Sequence, residues 1–270
     1  MTLCRVLLVS KSGYYSWASR PVSQRIKSNI KLLGQIQNTY LENKKAYGSP
    51  RIHVALKRKG IFCGHNRIAH LMRENSIVAQ RQFRRKNHGA RHGRSFASNL
   101  VNRSFNVSSP NHIWASDITV LWSGSGWLYL AITMDLYSRR IIGWAMQRRA
   151  TEDLTINALK MALGQRTINK DMIHHSDQGS QYSSESFKKE LEKHHIRPSM
   201  SSKGNCYDNA VVESFFKSLK AEIQKEDRSK TSEQTRSNIF EYIEVFYNRK
   251  RLHSTLGYQS PAEYEKINLA

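Results

Sequence analysis

Three acidic side chains stand apart from the other acids of this 270-residue chain. Asp117 lies in the middle of an apolar run, between Trp114-Ala115-Ser116 and Ile118-Thr119-Val120. A charge at the centre of a strand is costly unless something pairs with it. Asp177 follows Met172-Ile173-His174-His175 after one serine and opens Asp177-Gln178-Gly179-Ser180-Gln181-Tyr182. Ligands of α/β sheets bind at the carboxyl ends of strands. Glu213 sits on a helix whose Val212, Phe215, Phe216, Leu219 and Ile223 make one apolar stripe. At about 100° per residue, Glu213, Lys217 and Lys220 fall along the edge of that stripe. Hard divalent cations take oxygen ligands, and Mg2+ is commonly held by one or two carboxylates plus substrate phosphates. Two such ions, roughly 3.5–4 Å apart, activate the attacking oxygen and stabilise the leaving one in phosphodiester chemistry. Carboxylates from a strand centre, a strand end and a helix edge suit that task, although structural ion pairs also recruit acids.

The elements that must position them show in the patterning. Residues 112–122, 126–135 and 140–147 are rich in β-formers, with turns at Ser123-Gly124-Ser125-Gly126 and Ser138-Arg139, and read as an antiparallel meander. A helix over 151–163, a strand over 171–175, a helix over 187–194, a strand over 197–201 and a helix over 209–223 complete an α/β layered unit. A polar stretch at 227–234 precedes a last helix with Ile239, Tyr242, Ile243, Phe246 and Tyr247 on one face. Ahead of the α/β unit, residues 1–45 read as basic and helical, with apolar Ile26, Ile30, Leu33, Ile36 and Tyr40 at helical spacing. Residues 46–80 read as two short helices punctuated by Gly60 and Gly64. Asn66 is expected to cap the second, with Ile68, Leu71 and Met72 inward and Arg67, His70, Arg73 and Glu74 outward. In so basic a segment that pattern suggests a helix-turn-helix. The expected domains are 1–45, 46–80, a basic linker over 81–109 that carries Arg84 and Arg85, the α/β core over 110–225, and a helical extension over 226–270.

Charge names a partner. The chain has 43 Lys and Arg against 21 Asp and Glu, a net +22. Residues 1–110 hold 21 of those basic side chains and only 2 of the acidic ones, so +19 of the excess lies there. A region that positive repels itself unless a polyanion neutralises it, and nucleic acid is the default, since each neutralised phosphate releases counterions. No apolar run approaches the roughly 18 residues of a membrane helix, and the start of the chain has no secretory core. Three scattered cysteines, Cys4, Cys63 and Cys206, support neither a disulfide framework nor a four-cysteine zinc site. A cytoplasmic protein with reduced thiols is expected.

Asp117 and Asp177 are separated by 59 residues, Asp177 and Glu213 by 35, and Lys220 follows seven positions after Glu213. This resembles the DDE motif of retroviral-integrase-like transposases. The strings Trp114-Ala115-Ser116-Asp117-Ile118-Thr119, His175-Ser176-Asp177-Gln178-Gly179 and Gly204-Asn205-Cys206-Tyr207-Asp208-Asn209-Ala210 resemble OrfB-type transposases of bacterial insertion sequences. So do Tyr47-Gly48 with Arg51-Ile52, and the tail from Tyr247-Asn248-Arg249 to Ser260-Pro261. The resemblance covers essentially the whole chain.

It implies an RNase H-like catalytic core, a mixed five-stranded sheet with helices, preceded by the helix-turn-helix-like region and followed by a C-terminal helical tail. It implies that Asp117, Asp177 and Glu213 bind two Mg2+, with Mn2+ able to substitute. Water would free a 3′-OH at the element end, and that hydroxyl would attack a target phosphodiester with no covalent protein intermediate. Lys220 would contact element-end DNA, and Tyr182 and Asn209 would shape the site rather than do chemistry. Lys217, Arg67, Arg73, Arg84 and Arg85 are further candidate DNA contacts. The implied partners are double-stranded DNA, as element ends and target, further copies of the chain on that DNA, and an upstream-frame product or fusion, all at the bacterial nucleoid. The two-His, two-Cys zinc pattern of retroviral integrases is absent; Cys63, His65 and His70 lack a fourth partner. The His174-His175 and His194-His195 pairs are expected to cap or pack strand and helix ends. Two other readings remain: an RNase H-like nuclease that cuts without joining, and a DNA-binding regulator built on the +19 region.

Overall fold

A computed structural model describes residues 2–80, 97–101, 107–201, 209–223 and 231–269. Arg84, Arg85, Cys206 and the string from Gly204 to Asp208 lie outside the described residues. The chain divides into two compact units, Met1–Ala79 and Gln80–Ala270. Among the described residues no helix is long and apolar enough to cross a membrane.

The first unit is helical: α1 (Thr2–Val6), α2 (Lys11–Ala18), α3 (Gln24–Glu42), α4 (Ser49–Arg58) and α5 (His65–Glu74). Ser10 and Ser23 cap α2 and α3 with their hydroxyls. The buried stripe of α3 is Leu32, Ile36 and Thr39, whereas Ile26 and Ile30 are 50% and 65% exposed. Periodicity marks an apolar face but not where along a helix its apolar partner ends: the buried side chains of α3 begin at Leu32, and α5 meets Ser28 and Asn29 through the polar Arg67. Ile52 and Leu56 of α4 and Ile68, Leu71 and Met72 of α5 close this small core as expected. Gly60 follows α4 in the left-handed region at φ +76°, where a side chain would be strained. Asn66 is not a cap: α5 starts one residue earlier, behind Gly64, which has no side chain to offer.

The second unit is a mixed sheet with helices on both faces. Its strands are β1 (Ile113–Ser123), β2 (Gly126–Asp135), β3 (Ile141–Gln147), β4 (Ile173–Ser176) and β5 (Arg197–Met200), in the order β3-β2-β1-β4-β5. The first three form the antiparallel meander, and β4 and β5 join parallel to β1. Trp114 and Ile118 of β1 pack with α6 (Glu152–Gln165) through Leu154, Ala158, Leu159 and Ala162. Strand side chains alternate between faces, so Asp117 points to the opposite side, where α8 (Ala210–Ile223) lies against β1. Residues 97–101 run beside β5, with Leu100 N–H donating to Ser199 Oγ at 3.0 Å.

α6 sits on the sheet because Gly143 of β3 has no side chain. A Cβ there would fall 2.1 Å from the Ala158 carbonyl oxygen and 2.8 Å from the Ala162 nitrogen. Both are backbone atoms of a packed helix and cannot step aside. Gly143→Ala should therefore cost about 3 kcal/mol, at the top of the overpacking range. Urea unfolding checks this: a midpoint equal to wild type would show that α6 is not seated as closely as this.

After α8 come α9 (Ser232–Phe240), a π-helical stretch Glu241–Tyr247, a single 3-10 turn and α10 (Pro261–Asn268). A capping box between Thr231 and Gln234 starts α9 inside the stretch read as polar loop. Ile239, Tyr242, Ile243, Phe246 and Tyr247 are all buried. Tyr247 packs edge-on to Phe215 of α8, centroids 4.7 Å apart. Arg251 and Glu222 form a buried ion pair, Nη2 to Oε1 2.8 Å, whose side chains are 5% and 3% exposed. Tyr242 Oη donates to Glu222 Oε2 at 2.8 Å. From α10, Glu265 accepts from Ser138 Oγ at 2.7 Å, Arg140 Nη1 at 2.6 Å and Arg166 Nη2 at 2.5 Å.

Candidate active site

The parallel pairing of β1 with β4 stops at Ala115 opposite His175. Beyond it the two strands part, and the three acids gather around the opening. Asp117 is the second residue past the last pair; its Oδ1 accepts from Ile118 N–H at 2.7 Å. Asp177 is the first residue after β4, and its Oδ1 accepts from Gly179 N–H at 3.0 Å. A Cβ at Gly179 would come 2.9 Å from that same Oδ1, so a side chain there would push the carboxylate aside. Gln181 Nε2 ties the loop to the Ala150 carbonyl at 2.8 Å. Glu213 stands in the first turn of α8, where the helix dipole favours an anion. It accepts from Lys217 Nζ at 3.1 Å.

The electrostatics bind these groups into one site. Burial raises the Asp117 pKa to about 8, with further upward pressure from Asp177 and Glu213; the Ile118 N–H and Lys220 pull the other way. Asp177 reaches solvent on one side, yet crowding by protein on the others raises its pKa too, against the Gly179 hydrogen bond. Lys220 is half-buried; desolvation lowers its pKa and Asp117 lifts it. Lys220 thus faces the acids, whereas Lys217 is spent on Glu213 at an exposed edge.

A buried carboxylate repelled by two others is what a hard divalent ion would satisfy, and the donor set is all oxygen. Among the described residues no three His, Cys, Asp or Glu side chains stand close enough to share one ion. The fit is therefore one of donor chemistry and of the electrostatic influence of Asp177 and Glu213 on Asp117, and a shared ion would need the three carboxylates to draw closer.

Behind the site lies a polar network that residue patterning misses. Ser116 Oγ bonds His174 Nε2 at 2.8 Å and Thr133 Oγ1 at 3.0 Å, and His175 Nδ1 bonds Ser199 Oγ at 2.9 Å. His174 and His175 therefore pack within β4, one of the roles expected of them, and in addition cross-link it to β1 and β5. The hint available in the sequence was a histidine pair inside a four-residue buried strand. Burial, and secondarily His175, lowers the His174 pKa to about 3. A base depressed on folding contributes stability above its unfolded pKa of about 6.5, and loses it as pH falls toward 3. Urea midpoints should drop across that window, and the drop should shrink in His174→Gln; an equal drop in both would assign it to other groups. His194 caps α7 (Glu185–Lys193), as expected.

The candidate DNA contacts of the helical unit divide. Arg67 is turned inward: its Nε and Nη2 donate to Asn29 Oδ1 and Ser28 Oγ, both at 2.8 Å. The outward reading fails because polar side chains of α3 lie within its reach. Arg73 is exposed. His70 pairs with Glu74 at 3.2 Å, and His65 bonds Ser49 Oγ at 3.2 Å.

Comparison with known proteins agrees with this layout. Family models described as Integrase core domain match residues 107–206 and 213–269, and one described as HTH-like domain matches residues 27–86, taking in α3. The chain is 40% identical over 272 residues to Transposase InsF for insertion sequence IS3A of Escherichia coli (strain K12), across 99% of this chain and 94% of that protein. It is 39% identical over 265 residues to the Insertion element IS600 uncharacterized 31 kDa protein of Shigella sonnei, across 98% of this chain and 97% of that one. Among solved structures, a chain in the cryo-EM structure of the simian T-cell lymphotropic virus intasome in complex with PP2A regulatory subunit B56 gamma matches with TM-score 0.50 and 16% identity, over 78% of this chain and 69% of that one. At that identity the likeness speaks to the fold.

Proposed function

The chain belongs to the transposases of IS3-family insertion sequences, and from that premise we propose that it cuts element ends and joins them to target DNA at Asp117, Asp177 and Glu213. One observation supports the reading: Asp117 of β1 feels both Asp177, at the end of β4, and Glu213 of α8, and burial with that repulsion raises it to about 8. A divalent cation held there would supply Lewis-acid activation and charge neutralisation for phosphodiester chemistry.

The chain's own residues set the geometry. Gly179 N–H orients the Asp177 carboxylate. The α8 stripe of Val212, Phe215, Phe216 and Leu219 is buried and keeps Glu213 toward β1. Lys220, half-desolvated and close to Asp117, is placed to meet a phosphate of the element end. In the first step water attacks phosphorus and the 3′-oxygen leaves with a proton. In the second that 3′-OH attacks a target phosphodiester, and the target's own 3′-oxygen leaves. The number of phosphodiester bonds is conserved in the second step, so no external energy source is needed.

The helical unit supplies charge for duplex DNA. Binding should weaken by about 10³-fold between 50 and 200 mM salt if some six phosphates are neutralised. The log–log salt slope should flatten when residues 1–79 are removed; an unchanged slope would place the DNA contacts elsewhere.

The deciding experiment mixes labelled end DNA, a plasmid target and Mg2+ with the chain alone and with a fusion to its upstream reading frame. Joined product is expected. Cleavage without joining would make it a nuclease, and silence from both forms with DNA binding intact would make it a regulator.

A further inference from the structure

Two buried polar atoms beside the acids have no hydrogen-bond partner among the described residues: Tyr182 Oη and Asn209 Oδ1. Tyr182 is 2% exposed and Asn209 6%. Both can accept a hydrogen bond, the hydroxyl oxygen through its lone pairs and the amide oxygen as an acceptor only. Tyr182 lies five positions after Asp177, and both Asp117 and Asp177 act on it electrostatically. Its ring is held edge-on to Phe187, centroids 5.3 Å apart at 87°, so the hydroxyl cannot swing out to water. Asn209 lies four positions before Glu213 and donates through Nδ2 to the Ser116 carbonyl at 3.1 Å, next to Asp117. That bond fixes which end of the amide is the unpaired oxygen, because a carbonyl needs a donor. It also ties the start of α8 to β1 where the β1–β4 ladder has ended.

A buried polar atom with no partner is destabilising, and a native site that keeps two of them implies a partner that arrives later. Mg2+ gives up its hydration shell reluctantly and keeps several waters beside its carboxylate ligands. Those waters, their oxygens turned to the ion, donate and need acceptors in the surrounding protein, and both a phenol oxygen and an amide oxygen can accept.

We propose that Tyr182 and Asn209 are outer-sphere positioning residues that hold the water shell of the divalent cation bound at Asp117 and Asp177. This rests on the metal-site reading above. It gives both residues a task beyond shaping the site: they select a hydrated cation and fix its place between β1 and α8.

The test uses the full chain, stripped of metal and titrated with MgCl2 while thermal melting is followed, with Mn2+ binding by electron paramagnetic resonance as a second readout. Wild type, Tyr182→Phe, Asn209→Ala and Asp177→Asn are compared. Tyr182→Phe is expected to melt at least as high as wild type without metal, because it loses only an unpaired hydroxyl. It should nevertheless need roughly 10- to 100-fold more Mg2+ for the same rise, the usual loss when an outer-shell partner is removed. Asn209→Ala should melt lower without metal, having lost its bond to Ser116, and should show a similar loss of affinity. If Asn209→Ala does not fold, Tyr182→Phe decides alone. A Tyr182→Phe midpoint within twofold of wild type would overturn the proposal, while a wild-type shift that disappears in Asp177→Asn would show that the metal site itself stands. Absence of any shift or Mn2+ uptake in wild type would overturn both.

Discussion

Asp177→Asn is expected to lower strand transfer by at least about 10³-fold while leaving the fold and DNA binding intact. The amide has the shape of the carboxylate and can still accept from Gly179 N–H at the same position. What it lacks is the charge. Charge stabilisation by a bound cation is worth several kcal/mol, and about 4 kcal/mol corresponds to 10³ in rate. Partial desolvation already raises the Asp177 pKa, so the neutral variant should melt no lower than wild type in the absence of metal. Joined product, salt-dependent DNA binding and melting temperature are measured together. Joining within tenfold of wild type would remove Asp177 from the chemistry. A variant that is inactive but also unfolded would be uninformative about charge, which is why the isosteric amide is the right substitution.

Glu222→Ala should be the most damaging single change outside the site, at about 3–5 kcal/mol. Glu222 is gripped by Arg251 through Nη2 at 2.8 Å and Nε at 3.2 Å, and by Tyr242 Oη at 2.8 Å. Removing one member of a buried pair leaves the other charge uncompensated, and that penalty exceeds the net worth of the pair. For a unit of this size each kcal/mol shifts the melting temperature by roughly 2–4 °C, so a fall of about 10 °C is expected. The double variant Glu222→Ala with Arg251→Met should recover much of the loss, because no orphaned charge remains. Equal losses in single and double variants would show that packing, not charge, is at stake.

The second unit was largely legible because its information is local. Alternation in residues 112–147 gives the meander, and an acid in the middle of β1 has no bland role that fits its surroundings. The helical stretches followed from apolar spacing. What escaped the sequence is what joins residues far apart along it. Nothing near Glu222 announces Arg251, and nothing near Ser116 announces His174 or Thr133, because hydroxyl and imidazole groups are as common on surfaces as in networks. Arg67 was read outward because helical phase tells which way a side chain leaves, not that Asn29 and Ser28 of another helix stand in its path. Ile26 and Ile30 share the helical spacing of Ile36 yet are exposed, because spacing does not say how far along a helix the packing extends. Cap chemistry favoured Asn66, yet the chain enters α5 at Gly64, in an extended conformation and with no side-chain cap.

The grip on Glu265 has a consequence for the order in which the molecule is made. Ser138 and Arg140 end the β2–β3 hairpin and Arg166 follows α6, so all three leave the ribosome about a hundred residues ahead of the carboxylate they hold. Until α10 emerges, Arg140 and Arg166 lack the carboxylate that bridges them, although Asp135 offers Arg166 a negative charge. Synthesis from the amino terminus thus delivers the cationic helical unit first and the clasp of the catalytic unit last. Nascent chains stalled before residue 265 should remain open to protease at the β2–β3 turn, and closure of that corner would coincide with the arrival of a single glutamate.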